Sequence, residues 1–342
     1  MGKIKILSPG LYTTIQASKR KGLREFGIST SGATDKFAYK VSNALVGNEE
    51  ELASLEITIS GPEIRFDGSE LISICGGAFS PCINNIEIPQ WTAIKVNKND
   101  ILSFKGTKSG ARAYISFAGG IEAEEVLGSY STNIKARFGG FFGRSLKGSD
   151  ELNILTKKNN LDEFNNSALL QEYIPQYSSK LEVRVILGPQ DDYFSQEEVD
   201  RFFSESYRIS PMWDRMGIRL EGRALTHNKS ANIISDGNNI GSIQVPGDGH
   251  PIILMNDGGT TGGYPKIATI TYADLDKVAQ LKMNDEVKFK KISLEEGHEC
   301  YREYVKNLNS IDKMITKKNS VFYYKVKVNS KEYEVSVEKI GC

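Results

Sequence analysis

Histidine is the scarcest source of chemistry in this sequence. Only His227, His250 and His298 occur in 342 residues. No H-E-x-x-H or comparable spacing joins them, which argues against a zinc site. A Ser-His-Asp mechanism would rest on His227 or His250, neither of which has an obvious nucleophile nearby, and no G-x-S-x-G elbow is present. Cysteine is sparse too. Cys75, Cys82, Cys300 and Cys342 have neither metal nor disulfide spacing and fit a reduced, cytoplasmic protein. Neither sign of charge is in excess: lysine plus arginine and aspartate plus glutamate number 43 each. That balance gives no support for a nucleic-acid or membrane partner. No apolar run approaches the roughly 20 residues of a membrane helix. The opening "MGKIKILSPG" is too short in its apolar part for a signal peptide. A P-loop is missing as well, since "GGFFGRS" (139–145) has Arg144 where a lysine is required.

What is present is β-type pattern. "EIRF", "LISICGG", "TAIKV", "DILSF" and "ARAYISFAGG" recur between turns in the first half. "LEVRVILG", "SIQVPG", "PIILMNDG", "KIATITY" and "EVKFKKI" do so in the second. Val287, Phe289 and Ile292 carry the alternation of a half-buried strand. Helical pattern is confined to 33–48, 272–281 and 294–308. Many strands and few helices predict a mainly β chain of barrels or sandwiches. "KVNKNDILSF" (95–104) aligns with "QLKMNDEVKF" (280–289), an echo that suits two related β units. The predicted layout is one unit over 1–156, a polar linker over 157–180, a second unit over 181–292, and a helix with a hairpin over 293–342.

Polar signals concentrate in the second half. "SPMWDRMGIRLEGRALTH" (210–227) reads as a loop entering a strand, with Arg215, Gly217 and Arg219 alternating onto one side. Two arginines suit a carboxylate or phosphate. "NDGGTTGGYPKIATI" (256–270) packs Gly258, Gly259, Gly262 and Gly263 around two threonines. Such a cluster destabilises unless the backbone needs unusual angles or a close approach. Its N–H groups and hydroxyls could meet the same anion, and Lys266 could add charge. The plainer alternative is hairpin chemistry, with the arginines paired to Asp214 and Glu221.

Several longer stretches occur together and in order. They include "PGLYTTIQ" (9–16), "GISTSGATDKFAYKVSNALVGN" (27–48), "ASLEITISGPEIRF" (53–66), "GARAYISFAGGI" (110–121), "DRMGIRLEG" (214–222), "SDGNNIGSIQVPGDGHPIILMND" (235–257) and "TTGGYPKIATI" (260–270). Through them the chain resembles the KipA / allophanate hydrolase subunit 2 family over about residues 3–292. Members are also named as the C-subunit of ATP-dependent 5-oxoprolinase and are grouped with biotin-dependent carboxyltransferases. The resemblance implies cyclophilin-like β-barrel domains and a KipI-like partner, with a lactam-utilisation-type subunit in the oxoprolinase version. It implies conversion of 5-oxo-L-proline, ATP and water to L-glutamate, ADP and phosphate, with ATP handled through the complex. The alternatives it implies are a carboxyltransferase subunit served by biotin on a partner carrier, or a non-catalytic regulator of a KipI-like kinase inhibitor. On this reading Arg215, Arg219, Asp236 and Asp257 are the expected catalytic residues. Gln244, Thr260, Thr261, Gly262, Gly263, Tyr264 and Lys266 are the expected substrate-binding residues, and no metal is expected.

Two motifs depart from the family pattern. Relatives commonly read T-x-Q-D-x-G-R-x-G where this chain reads "TIQASKRKG" (14–22), so Ala17 replaces the acid and Lys19 a glycine. Gly258 and Gly259 stand where Arg and Gln are usual. Finally, "YYKVKVNSKEYEVSVEKI" (323–340) alternates cleanly about an Asn-Ser turn and resembles the first hairpin of a biotin carrier domain. No A-M-K-M segment supplies a biotinyl lysine.

Overall fold

The computed structural model describes residues 2–48, 52–155, 161–316, 321–328 and 331–338. The chain is mainly β, as the recurring short runs predict. Its first half forms two sheets over one core. A six-stranded sheet runs in the order Glu151–Ile154, Gly2–Ser8, Glu63–Phe66, Ile101–Phe104, Pro81–Ile83 and Ile86–Glu87. A five-stranded sheet runs Tyr12–Gln16, Ser54–Thr58, Ser109–Phe117, Glu70–Ala78 and Ala93–Val96. Ile4, Ile6 and Phe66 of the first meet Leu55, Ile57 and Ile115 of the second in one buried cluster. Ladder hydrogen bonds run within each sheet, so this half encloses its core as two facing layers. The second half closes completely. Lys180–Leu187, Lys266–Ile270, Ser242–Gln244, Ile252–Leu254, Gly217–Glu221, Ser206–Trp213 and Glu286–Lys291 form a seven-stranded barrel. Closure comes from the parallel pairing of Leu181 with Val287 and Val183 with Phe289.

The helices follow their signals. Lys36–Leu45 starts at Asp35, whose carboxylate accepts from the Ala38 N–H, so one orphan donor of the first turn is satisfied. Leu294–Leu308 starts at a capping box, Ser293 with Glu296. The stretch at 272–281 is shorter than its pattern suggests: a 3₁₀ turn at Tyr272–Asp274 leads into Leu275–Val278. Where described, residues of the 157–180 stretch are packed against the rest of the chain. Ala168–Leu169 pairs with Ile315–Thr316, and Tyr177 donates to Asp35 at 2.9 Å. No helix among the described residues is long and apolar enough to cross a membrane.

The sequence echo is a repeated turn. Asn99 and Asn284 both take left-handed backbone, with φ of 71° and 72°. The following Asp100 accepts from the Asn97 N–H at 2.8 Å, and Asp285 from the Lys282 N–H at 3.0 Å. Asparagine tolerates that conformation and aspartate closes the turn locally, so the same dipeptide gives the same entry into a strand. At the C-terminus, Val321–Val328 pairs antiparallel with Lys331–Glu338. The expected Asn-Ser turn lies outside the described residues.

The five-stranded sheet is buried on both faces, and this positions the site. Strand alternation sends Leu55 and Ile57 into the core and Ser54, Glu56 and Thr58 to the other side. Register places Thr14 and Tyr114 on either flank of Glu56. That face is covered by Lys36–Leu45 and by the loop carrying Arg215.

Candidate functional site

Glu56 is 1% exposed and Arg215 4%, and a carboxylate or guanidinium is tolerated so deep only when paired. Here the pairing is complete. Arg215 Nε donates to Asp257 Oδ2 at 2.8 Å, Nη1 to Glu56 Oε1 at 2.5 Å and to Thr34 Oγ1 at 2.9 Å, and Nη2 to the Gly32 carbonyl at 2.8 Å. Glu56 also accepts from the Tyr114 hydroxyl at 2.7 Å and the Thr34 N–H at 3.0 Å. Burial pushes the Glu56 carboxyl up, but Arg215 and Arg112 outweigh it and hold the group below its ordinary range. Burial also disfavours the Arg215 charge, and Asp257 and Glu56 reverse that, leaving it firmly cationic.

Above this cluster lies a cavity of about 710 Å³. Leu11, Trp213 and Met216 form apolar walls. Tyr12, Arg112, Asp214, Lys135, Arg215 and Asp257 supply the polar groups. Arg112 is 1% exposed and sits 5.4 Å from the Trp213 ring centroid. Burial raises the Tyr12 phenol to about 12, so it remains a hydrogen-bond donor at neutral pH. Apolar walls with a few convergent polar groups are the usual form of a small-molecule site.

The expected site residues separate into two groups. Arg215 and Asp257 are together at this cavity. Arg219 is not with them: it pairs with Asp248, and 24% of its side chain is exposed. The expectation that Arg215 and Arg219 share one anion is therefore corrected. The former is consumed inside the protein, and alternation within Gly217–Glu221 turns the latter to the face opposite buried Ile218 and Leu220. The alternative partners Asp214 and Glu221 are corrected too. Glu221 pairs with Arg208, and Asp214 caps the Met216 and Gly217 N–H groups.

The remaining expected residues form a second cluster. Asp236–Gly237 pairs antiparallel with Thr261–Gly262. Buried Lys266 donates to Asp236 at 2.7 Å, which holds that carboxyl below its ordinary range. Gln244 donates to Asn238 at 3.2 Å and lies close to the Tyr264 carbonyl. Asn238 N–H donates to the Thr260 carbonyl at 2.8 Å. Neither arginine reaches this ribbon, so the expected cleft joining Thr260, Thr261, Gly262 and Gly263 to Arg215, Arg219 and Asp236 does not form. Gly258 and Gly262 answer to close approach. A Cβ at Gly258 would lie 2.7 Å from the Met216 carbonyl oxygen, and one at Gly262 would lie 2.4 Å from Gln244 Nε2. None of the four has positive φ.

Glu56, Arg112, Tyr114 and Thr34 are not among the expected residues. Their signal is visible in the sequence all the same: "SLEIT" and "ARAYIS" place Glu56, Arg112 and Tyr114 at alternate positions of strands whose other face is apolar. Among the described residues, no group of three or more His, Cys, Asp or Glu could hold a metal ion.

Comparison with known proteins adds to this geometry. The sequence profile of the carboxyltransferase domain, subdomain A and B, matches residues 26–291. The 5-oxoprolinase C-subunit of Escherichia coli is 35% identical over 296 residues, spanning 86% of this chain and 93% of the relative. That of Haemophilus influenzae is 31% identical, spanning 92% of this chain and 100% of the relative. Among solved structures, the K. lactis urea amidolyase superposes with a TM-score of 0.85 at 28% identity. It covers 98% of this chain, which spans 22% of that larger protein.

Proposed function

The chain belongs to the carboxyltransferase domain family of subdomains A and B, and from that premise we propose that it is the C-subunit of an ATP-dependent 5-oxoprolinase-type amide hydrolase. The observation that carries this reading is similarity: two 5-oxoprolinase C-subunits are 35% and 31% identical to the chain and are matched over 93% and 100% of their own length. A KipI-like protein and a lactam-utilisation-type subunit are the proposed partners, in the cytoplasm.

The cavity over Arg215 fits the chemistry. A lactam is a flat ring with an N–H donor, a carbonyl acceptor and, in 5-oxoproline, a carboxylate. Trp213 and Met216 would cover the ring, and Lys135 would meet the carboxylate at the rim. Tyr12 would donate to the carbonyl and Asp214 would accept the ring N–H. Arg215 and Asp257 would act from the floor, fixing the loops that carry these groups. Arg219, Asp236, Gln244 and Lys266 take no part in this site. The chain has no P-loop, so ATP is assigned to the complex. ATP supplies the phosphoryl group that activates an otherwise poor electrophile.

A second reading rests on the superposition with urea amidolyase over 98% of this chain. The cyclic urea of biotin offers the same N–H and carbonyl edge, so a carboxyltransferase subunit served by a separate biotin carrier would use the same cavity.

Co-expression with KipI-like and lactam-utilisation-type subunits tests both. The expected result is ATP hydrolysis that depends on 5-oxoproline and on all three chains, and that falls at least tenfold in Tyr12→Phe. A stable complex that hydrolyses no ATP with 5-oxoproline overturns the first reading. Transfer of carboxyl from a carboxylated biotin carrier would then establish the second.

A further inference from the structure

A second cavity, of about 600 Å³, shares no lining residue with the one over Arg215. It is bounded by the loop that departs from the family pattern, by the start of helix Lys36–Leu45 and by Tyr272. Six cationic side chains line it: Lys19, Arg20, Lys21, Arg24, Lys36 and Lys40, against one lining acid, Glu25. Like charges gathered at one concave surface repel, and they raise the local concentration of anions.

Two of the guanidiniums are incompletely hydrogen-bonded. Arg20 is 1% exposed, yet only two of its donors are engaged by backbone carbonyls: Nε to Val126 at 3.0 Å and Nη2 to Ser131 at 2.5 Å. Its Nη1 is buried without a hydrogen-bond partner. Arg24 donates through Nη2 to the Asn238 carbonyl at 2.5 Å, and its Nη1 is likewise buried and unpartnered. A buried guanidinium donor left unmade costs more than a neutral one, and both of these arginines line the cavity. The helix start does not supply that role, because the Lys36 and Phe37 N–H groups already donate to Asp276. Lys19 Nζ and Lys36 Nζ lie 5.5 and 5.6 Å from the centroid of the Tyr272 ring.

We infer that this cavity binds the oxyanion group of a small molecule, a phosphate or a carboxylate, held by Arg20, Arg24, Lys19 and Lys36 beside the Tyr272 ring. Arg20 and Arg24 supply directed donors from fixed positions. The lysines supply charge that adapts to the ligand, and Tyr272 gives a flat wall for the group behind the anion. The surroundings of Lys19 agree. Burial lowers its ammonium to about 8; Asp276 opposes this and Lys36 adds to it. An anion in the cavity would favour the charged form, so its binding near pH 8 draws a proton into the protein. Glu25 at the rim and the Asp276 carboxylate behind Lys36 are the acidic groups that oppose the ligand.

The site is independent of the proposed reaction, and its test uses the isolated full-length chain without partners or turnover. Inorganic phosphate and malonate are titrated calorimetrically at constant ionic strength, in two buffers of different ionisation enthalpy. The expected result is saturable binding with proton uptake at pH 8. Lys36→Gln and Lys19→Gln weaken it at least tenfold, while the surface variant Lys98→Gln binds as the parent does. Thermal melts confirm that each variant is folded, and Lys40→Gln serves as a further site variant if one is not. Phosphate binding without malonate binding identifies a phosphorylated ligand, and the reverse identifies a carboxylate. Absence of binding by both anions at millimolar concentration, or equal binding in all variants, overturns the inference.

Discussion

Arg215 and Asp257 are joined through both side chain and backbone. The Arg215 Nε donates to the Asp257 carboxylate at 2.8 Å, and the Asp257 N–H donates to the Arg215 carbonyl at 2.8 Å. Two barrel loops are thus locked to each other by side chain and backbone together. Because the same guanidinium also reaches Glu56 on the five-stranded sheet, this lock is continuous with the seam between sheet and barrel. The pair lines the proposed substrate cavity, but its donors are already engaged within the protein. Its effect there is through the loops it fixes.

The first prediction follows from that saturation. Arg215→Met roughly keeps the volume and removes the charge, leaving buried Asp257 without its cation and Glu56 with Arg112 alone. Removing one partner of a buried ion pair costs about 3–5 kcal/mol. Arg219→Met breaks only a partly exposed pair with Asp248 and should cost about 1 kcal/mol or less. Urea denaturation of the two variants gives the comparison. Equal stabilities would show that the seam does not depend on Arg215.

The second concerns pH. Asp35 and Asp276 are buried near the start of helix Lys36–Leu45. Burial raises both carboxyls above their ordinary range, and Asp276 raises Asp35 further. A raised acid binds its proton more tightly folded than unfolded. Stability from this source is therefore present below the unfolded carboxylate pKa and is lost as pH rises toward neutrality. Asp35→Asn keeps an acceptor for the Ala38 N–H and removes one charge. It should flatten the fall in melting temperature between about pH 4 and 7, the window between ordinary and raised carboxylates. A parallel pH profile in the variant would refute this origin.

The strands and helix starts were legible because they depend on local pattern. Alternation marked most barrel strands, Asp35 and Ser293 stood at helix starts, and the Asn-Asp repeat gave the same turn twice. The site was less legible because it depends on pairing between distant segments. Arg215 and Glu56 are 159 positions apart, and nothing in "DRMGIRLEG" distinguishes a buried arginine from a surface one. The charge cluster "SKRKG" was visible, but its convergence with Lys36, Lys40 and Tyr272 comes from tertiary packing. The glycine-rich loop suggested an anion because close approach and anion cradling call for the same residue. Only the neighbouring Met216 carbonyl tells them apart.

That loop gives the third prediction. Gly258→Ala would place a methyl 2.7 Å from the Met216 carbonyl oxygen and 3.0 Å from that of Met255, both backbone atoms. Neither can move without shifting the loop that carries Arg215, so overpacking of about 1–3 kcal/mol is expected. At Gly263 the nearest atom to an added Cβ is 3.6 Å away, an ordinary contact. Gly263→Ala should stay within about 0.5 kcal/mol of the parent. Chemical denaturation of both variants decides it, and a tolerated Gly258→Ala would mean that the loop moves freely.

The last prediction separates Lys19 from its neighbours through linkage. Its ammonium is lowered to about 8 in the folded protein, from the 10.5 of an ordinary lysine. Between those two values the unfolded chain binds more protons at this position than the folded one. Stability from Lys19 therefore rises with pH across that window, the opposite of a lysine held in an ion pair. Tyrosines and other lysines titrate in the same range, so the parent's profile alone does not isolate the effect. The difference between the parent and Lys19→Met does. Above the window both chains carry a neutral side chain at position 19. Below it only the parent bears the cost of a desolvated charge. Lys19→Met should accordingly be the more stable protein at pH 7, with the advantage shrinking as pH rises from about 8 to about 10.5. Saturating phosphate should reduce that advantage at pH 7, because an anion beside Lys19 offsets the desolvation that the methionine avoids. Denaturant melts at pH 7 and pH 10, with and without phosphate, measure each quantity. A pH-independent difference would show that Lys19 titrates as an ordinary surface lysine.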